Sequence, residues 1–549
     1  MTSWTKITNV SAFEDTDRKT FKQFTVFYQD GDFFACENRC PHMGYPMNKG
    51  TIRDGVITCA WHYWDFDLKH GGCYRGACDD LKIYPCKVEN EDIYVNTSES
   101  NKDIETLLTH LRESMRSGDI YLQSKAINQL VSADVPAEKI VITALQQAYL
   151  HSQRNHQTEQ SIYETQAIIN AYELSTHYPA KEKASILIHG IKAASGTTGD
   201  RMEVTPLPEH TLNAATNNKN LIRYSEESSS MGIERILLSI YAESGFSEEL
   251  QTTLLALATQ THYANHREVL TCISAIIQQS KIIKDHQLDR ALLAQAAWVL
   301  GKSRTQPNLE TKDAIKWLDE NDSKIMETIF TESSESNTTE IEKILFQNNL
   351  GTIFKDFLHY LEKGQAFTTV LNDLSQISAK RFSRLWLNNG GMWNSASEGF
   401  RLCNSIRETS HLKGTHQMKA LFFLVFYFYQ TRWVQPGIEN KNKSDDKVFS
   451  WDDYNNSFES LDEPTAKNAI KNLTTKESLA DATFIEKFTK PLLNEDLSLV
   501  QLNTLIAVLH EAQHNKDWQP YLLGMITYSI DQKLSQNTKS ASKFGLGYF

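Results

Sequence analysis

No apolar run in this 549-residue chain is long enough to cross a bilayer. The longest, Ala420 to Tyr429, is about half of the ~20 residues that a spanning helix needs. It is expected to be a core helix, and no membrane is expected as a partner. The first thirty residues hold no basic segment followed by an apolar stretch, so no secretory signal is read there. An excess of positive charge is also missing. Lys plus Arg number 56 against 68 Asp plus Glu, a formal charge of -12, which excludes the electrostatic footprint of a nucleic-acid binder. Glycine and proline are sparse, at 24 and 12, while 40% of residues are hydrophobic and 23% charged; this rules out disorder and collagen-like sequence. A chain of this length is expected to bury two or more cores. Without an export signal, the eight cysteines are expected to be reduced thiols in the cytoplasm and not a disulfide framework. Six of the eight lie between Cys36 and Cys86.

That segment reads as β structure. From Phe21 to about Asn96, short apolar pieces are broken by Asp30-Gly31, Asp54-Gly55, His70-Gly71-Gly72 and Asn90-Glu91. Asp-Gly between apolar runs predicts a tight hairpin, because both residues tolerate positive φ. After the polar stretch Asn96 to Asn101 the hydrophobic period changes from two to about 3.6. The resulting expectation is a multidomain β-plus-α chain. A small antiparallel β domain takes residues 1–97, a linker 98–102, a large all-α region 103–531 that divides into two subdomains, and a polar tail 532–549. Gly232 to Gly245 exemplifies the helical pattern: Ile233, Ile236, Leu237, Ile240 and Tyr241 mark one face and Gly245 supplies the stop. Polar breaks at Thr331 to Thr339 and Pro436 to Pro464 are read as subdomain borders or surface loops.

The chemistry concentrates in four residues of the β domain. Cys40 and His42 form one close pair, Cys59 and His62 another, and Asp54-Gly55 between them predicts a hairpin that brings the two loops face to face. Each loop offers a thiolate, which suits ferric iron of a cluster, and an imidazole, which leaves an iron less negatively charged and more easily reduced. Such a pattern arises by chance roughly once in three thousand sequences of this composition. A tetrahedral zinc site can use the same residue types, but zinc ribbons and fingers bring close Cys pairs and His pairs, whereas here each loop is mixed. Cys36, Cys73, Cys78 and Cys86 match no ligand spacing and are read as packing or loop thiols, as are the isolated Cys272 and Cys403.

The run Cys40-Pro41-His42-Met43-Gly44, with Cys59-Ala60-Trp61-His62-Tyr63-Trp64-Asp65-Phe66-Asp67, resembles the Rieske [2Fe-2S] motif over roughly residues 1 to 97. The resemblance implies a [2Fe-2S] cluster with Cys40 and Cys59 on one iron and His42 and His62 on the other. It also implies a protein that passes single electrons to or from a redox partner, a reductase or an oxygenase, with the helical region as docking or acceptor module. Rieske proteins of cytochrome bc complexes are similar but carry an extra Cys on each loop and hydroxyl residues where Trp64 and Phe66 stand here. Fewer hydrogen bonds to the cluster sulfurs predict a potential in the lower part of the Rieske range.

The helical region offers weaker constellations. Glu408, His411 and His416 resemble the iron-binding start of Rieske-type ring-hydroxylating oxygenases. That resemblance makes a Rieske non-haem iron oxygenase the alternative, with catalysis in the helical region and Asp452, Asp453 or Asp481 as third-ligand candidates. His510-Glu511-Ala512-Gln513-His514 fits a zinc metalloprotease pattern, but no Glu follows Glu511 to complete it, and the extended pattern needs Gly and His where Asp517 and Pro520 stand. Glu408/His411 and Glu511/His514 share the spacing of di-iron bundles, without the two additional inward Glu residues such a site requires. His262 and His266 are placed on one helix face. Gly196 to Asp200 is a plain turn, because it lacks the Gly-Lys-Ser/Thr ending of a phosphate loop. In places, notably Gly232 to Glu243, the region loosely resembles helical companion domains of other bacterial Rieske fusions.

Overall fold

The computed structural model describes residues 4–22, 24–41, 44–74, 80–96, 104–150, 159–196, 205–209, 212, 214–283, 285–302, 307–387, 391–434, 448–475, 477–493 and 497–535. The chain divides into two compact units, one taking in residues 1–140 and the other 141–539.

The first unit opens with ten short strands: β1 (Trp4–Asn9), β2 (Arg18–Phe21), β3 (Phe24–Gln29), β4 (Asp32–Glu37), β5 (Thr51–Arg53), β6 (Val56–Thr58), β7 (Asp65–Asp67), β8 (Ile83–Tyr84), β9 (Cys86–Glu89) and β10 (Asp92–Asn96). They pair antiparallel into three sheets, ordered β1-β10-β9, β2-β3-β4-β8 and β5-β6-β7. Three of the predicted turns do the joining. Asp30 and Gly31 have φ of 54° and 93° between β3 and β4, and Asp54 and Gly55 have 52° and 77° between β5 and β6. Asn90 and Glu91, at 54° and 67°, join β9 to β10. Positive φ at both central positions is the hairpin geometry whose twist matches that of the flanking strands.

The β3–β4 hairpin is buried on both faces, which is why Phe24 to Phe27 reads as an apolar run and not as an alternation. Val26 and Ala35 enter an apolar group with Phe13, Phe24, Tyr84, Ile93 and Val95. Phe27 and Cys36 enter a second, with Met47, Ile57, Phe66, Leu68, Leu81 and both motif cysteines. The β5–β7 sheet therefore carries its loops against a packed base.

The switch from strand to helix falls between Asn96 and Ile104, and the linker expected at 98–102 lies outside the described residues. Helices α1 (Ile104–Ser117), α2 (Ile120–Ser132) and α3 (Ala137–Leu150) follow. The Asp119 side chain accepts from the Tyr121 and Leu122 amides and caps α2. The compact units divide after Ile140, so α1 and α2 belong to the unit that holds the sheets.

The described part of the second unit is helix after helix, starting with the rest of α3 and α4 (Glu159–Ser175). The helix Ser230–Ser244 buries Ile233, Ile236, Leu237 and Tyr241, and the Gly245 amide closes it on the Tyr241 carbonyl. Leu238 and Ser239 are buried too, so the buried arc is wider than one face. The helix His416–Gln430 contains the ten-residue apolar run, and all of Ala420 to Tyr429 is buried, as expected of a core helix. One difference lies in the Pro436–Pro464 break, where residues 451–460 form a helix. A capping box between Ser450 and Asp453 starts it, and burial of Tyr454 and Phe458 holds it, although its composition is polar. At the other end, the helix Gln519–Ser535 runs past Gln532, where a polar tail was expected to begin; residues 536–549 lie outside the described ones. Among the described residues no helix is long and apolar enough to cross a membrane, and no disulfide joins Cys36, Cys40, Cys59, Cys73, Cys86, Cys272 or Cys403.

Candidate metal centre

Two loops of the first unit carry the motif. The first leaves β4 and reaches β5, and the second joins β6 to β7. They are pinned alike. The Cys40 amide donates to the Tyr45 carbonyl at 2.8 Å and the Gly44 amide returns to the Cys40 carbonyl at 2.7 Å. In the second loop the Cys59 amide donates to the Trp64 carbonyl at 2.8 Å and the Tyr63 amide to the Cys59 carbonyl at 3.0 Å. The fourth residue after each cysteine is left-handed, Gly44 at φ 75° and Tyr63 at φ 57°. Glycine takes that conformation without penalty; a tyrosine takes it only where its surroundings enforce it.

The bases of the loops are tied as well. The Thr58 hydroxyl donates to Asp65 Oδ1 at 2.6 Å across β6 and β7, and the Asn48 amide donates to Asn38 Oδ1 at 2.8 Å. The Arg18 guanidinium holds the carbonyls of Asn48 and Gly50. Cys40 and Cys59 are 2% and 1% exposed and lie in one apolar group, with Phe66 fully buried beside them and Trp64 packed against the group. Outside it, the His62 ring is half-buried at 4.4 Å from Trp61, and Tyr45 lies 5.7 Å from Trp61. Trp61 is 49% and Tyr63 68% exposed. His42 lies outside the described residues.

This arrangement fits an iron-sulfur cluster. Two thiols free of disulfide bonding stand on matched loops in a shell that excludes water, and an imidazole sits between that shell and solvent. Other thiols of the domain are set apart by their surroundings. Burial pushes Cys36 well above the usual thiol range and Cys86 up to about 11, so both remain protonated packing groups. Cys78 lies outside the described residues.

Residues 3–85 match the Rieske [2Fe-2S] domain. Over 79 residues the chain is 32% identical to the biphenyl dioxygenase ferredoxin subunit of a Pseudomonas species, covering 14% of this chain and 72% of that protein. The chain belongs to the Rieske [2Fe-2S] family. A second relative, the 3-phenylpropionate/cinnamic acid dioxygenase ferredoxin subunit of Photorhabdus laumondii, is 36% identical over 76 residues, 14% of this chain and 72% of that protein. Apoptosis-inducing factor 3 of Homo sapiens is 32% identical over 78 residues, 13% of this chain and only 12% of that protein. The Rieske domain thus recurs as a module in chains that differ elsewhere, and its group is the [2Fe-2S] cluster. The match to the Rieske domain ends at residue 85, before the helical region.

The second unit places the other candidates apart. Glu408 ends the helix Gly391–Glu408, with its carboxylate 3.6 Å from His510 Nδ1. His411 is exposed, its Nε2 3.4 Å from Lys281 Nζ. His416 is buried in the core, and burial pushes it down to about 4. Among the described residues no three metal-ligating side chains converge. Glu511, which would activate water in a metalloprotease, is fully buried and held by the Arg407 guanidinium at 2.8 and 2.7 Å. His510 lies between helices, Nε2 at 2.5 Å from Glu173 and Nδ1 at 3.2 Å from Asn404 Oδ1, and His514 caps the end of its helix. His262 and His266 do not share a helix. His262 sits in a one-turn 3-10 segment, while His266 precedes the helix Glu268–Ile283 and pairs with Glu268 at 3.1 Å. Arg407, Glu173 and Asn404 were invisible to sequence reasoning, because no local pattern links residues more than a hundred positions apart. Residues 197–200 of the glycine-bounded turn lie outside the described ones.

Proposed function

We propose that this chain is an electron carrier whose residues 1–97 hold the cluster, through Cys40 and Cys59 on one iron and His42 and His62 on the other. The bound cluster supplies a reversible one-electron couple. Around it, the buried thiols and the Phe66 and Trp64 side chains exclude water, and the matched amide-to-carbonyl bonds fix the spacing of the two loops. Electrons enter and leave at the His62 end, where Trp61 and Tyr63 give a partner an apolar surface next to an imidazole. The partner is a redox protein, a reductase or an oxygenase, since the relatives are ferredoxin subunits of dioxygenases. Residues 103–531 serve as docking or acceptor module. Cysteines that form no disulfide among the described residues suit a reducing compartment, the cytoplasm.

The equivalent pinning of the Cys40 and Cys59 loops carries this reading. Its test is iron and sulfide analysis of the anaerobically purified chain, with absorption and electron paramagnetic resonance spectra of the reduced form. Two irons and two sulfides per chain with a Rieske spectrum are expected. A colourless protein holding one zinc ion sinks the proposal, and three or four irons transfer it to an oxygenase with a second metal.

A further inference from the structure

The described residues that follow β7, 68–74 and 80–82, are tied back beside the motif cysteines. The Leu81 amide donates to the Gly71 carbonyl at 2.8 Å, the Asp67 amide to the Gly72 carbonyl at 2.9 Å, and the Tyr74 amide to the Asp65 carbonyl at 3.0 Å. Cys73 bridges to Phe66 and packs against the apolar group that holds Cys40 and Cys59. Near its end, Asp80 turns back: its Oδ1 accepts the Cys73 amide at 3.1 Å. The same oxygen accepts Lys125 Nζ of α2 at 2.9 Å, with the lysine side chain only 19% exposed. Through this one oxygen, Asp80 joins the Cys73 backbone to α2.

Lys125 lies beyond the segment matched to the Rieske domain, which ends at residue 85. Nevertheless α1 and α2 fall in the same compact unit as the sheets, and α2 is fixed at its start by the Asp119 cap.

We infer that Lys125 is a positioning residue of the electron-transfer unit, holding through Asp80 the loop that covers the cluster's cysteine side, so that helix α2 and the cluster shell are mechanically one piece. The pair orients the Asp80 carboxylate toward the Cys73 amide. Without the ammonium, that carboxylate is drawn to solvent, Cys73 loosens from Phe66, and chelators and oxygen gain access to the shell. This inference rests on the proposed cluster for one of its readouts and not for the other.

The test uses the full chain with its cluster and four variants: K125M, D80N, K125R and, as an ion-pair control elsewhere in the unit, K139M, which removes the pair with Glu105. Bleaching of the visible absorbance in excess iron chelator reports access, and amide hydrogen exchange of the segment 66–81 reports the loop with or without iron. K125M and D80N are each expected to bleach and exchange about two- to five-fold faster than wild type, and the double variant no faster than either single. K125R and K139M are expected to keep the wild-type rates. K125M matching K139M in both readouts overturns the inference, as does K125R proving as labile as K125M. A wild-type chain without iron refutes the proposed function instead, and the exchange comparison then still decides on the loop.

Discussion

Glu511 gives the sharpest division between a metalloprotease reading and a structural one. Its carboxylate is 0% exposed and receives two hydrogen bonds from Arg407, whose side chain is 10% exposed. Removing one member of such a pair strands a buried charge, which costs about 3–5 kcal/mol. E511A and R407A are each expected to lose that much. E511Q, which keeps an oxygen acceptor but not the charge, is expected to lose about 2 kcal/mol. R407M and E511M are each expected to lose about as much as the alanine variants, whereas R407M/E511M, which replaces both charges with apolar volume, is expected to return close to wild type, so the double-mutant cycle of the methionine variants yields a coupling of about 6 kcal/mol or more. Urea unfolding followed by far-ultraviolet circular dichroism, which reports the helical unit, measures all of these. An E511A protein within about 1 kcal/mol of wild type, or a double variant as unstable as the sum of the singles, refutes the reasoning.

Three further outcomes follow from the geometry. The reduction potential is expected in the lower part of the Rieske range, because Trp64 and Phe66 offer no hydroxyl to the cluster; F66Y is expected to raise it, and protein-film voltammetry checks both. Y63G is expected to stabilise the first unit by about 0.5–1 kcal/mol, since the left-handed conformation costs a tyrosine more than glycine loses in chain entropy; calorimetry measures it. Half-buried His510 and buried His416 should bend the pH profile of unfolding free energy in opposite directions. Burial lowers His510, but the bond and charge of Glu173, with Glu408 and Glu511, hold it above the usual imidazole value of 6.5. Its contribution is therefore full below 6.5 and lost as pH rises through the raised value, and H510Q should remove that loss. His416 is pushed down to about 4 by burial, so the unfolded chain takes its proton first and stability falls as pH drops from 6.5 toward 4; H416Q should flatten that arm.

What the chain's own order of residues determined is local. Asp30-Gly31, Asp54-Gly55 and Asn90-Glu91 became the hairpins they announced, because two residues of turn chemistry decide φ without help from elsewhere. The change of period near residue 100 marked where strands give way to helices, and the spacing of Cys40, His42, Cys59 and His62 marked the family, since each Cys/His pair lies within a few residues of sequence. Tertiary structure alone decided the pairings across long separations. Glu511 met Arg407 and left the metalloprotease pattern without a base; His510 met Glu173; His411 and His416 parted. It also decided that the polar stretch at Trp451–Ser460 is helical, through burial of Tyr454 and Phe458, and that Lys125 reaches Asp80. The physical reason is common to all of these. A buried charge or ring is stabilised by whatever partner the packing delivers, and packing is settled by the whole chain's burial of apolar surface, which no short window of sequence contains.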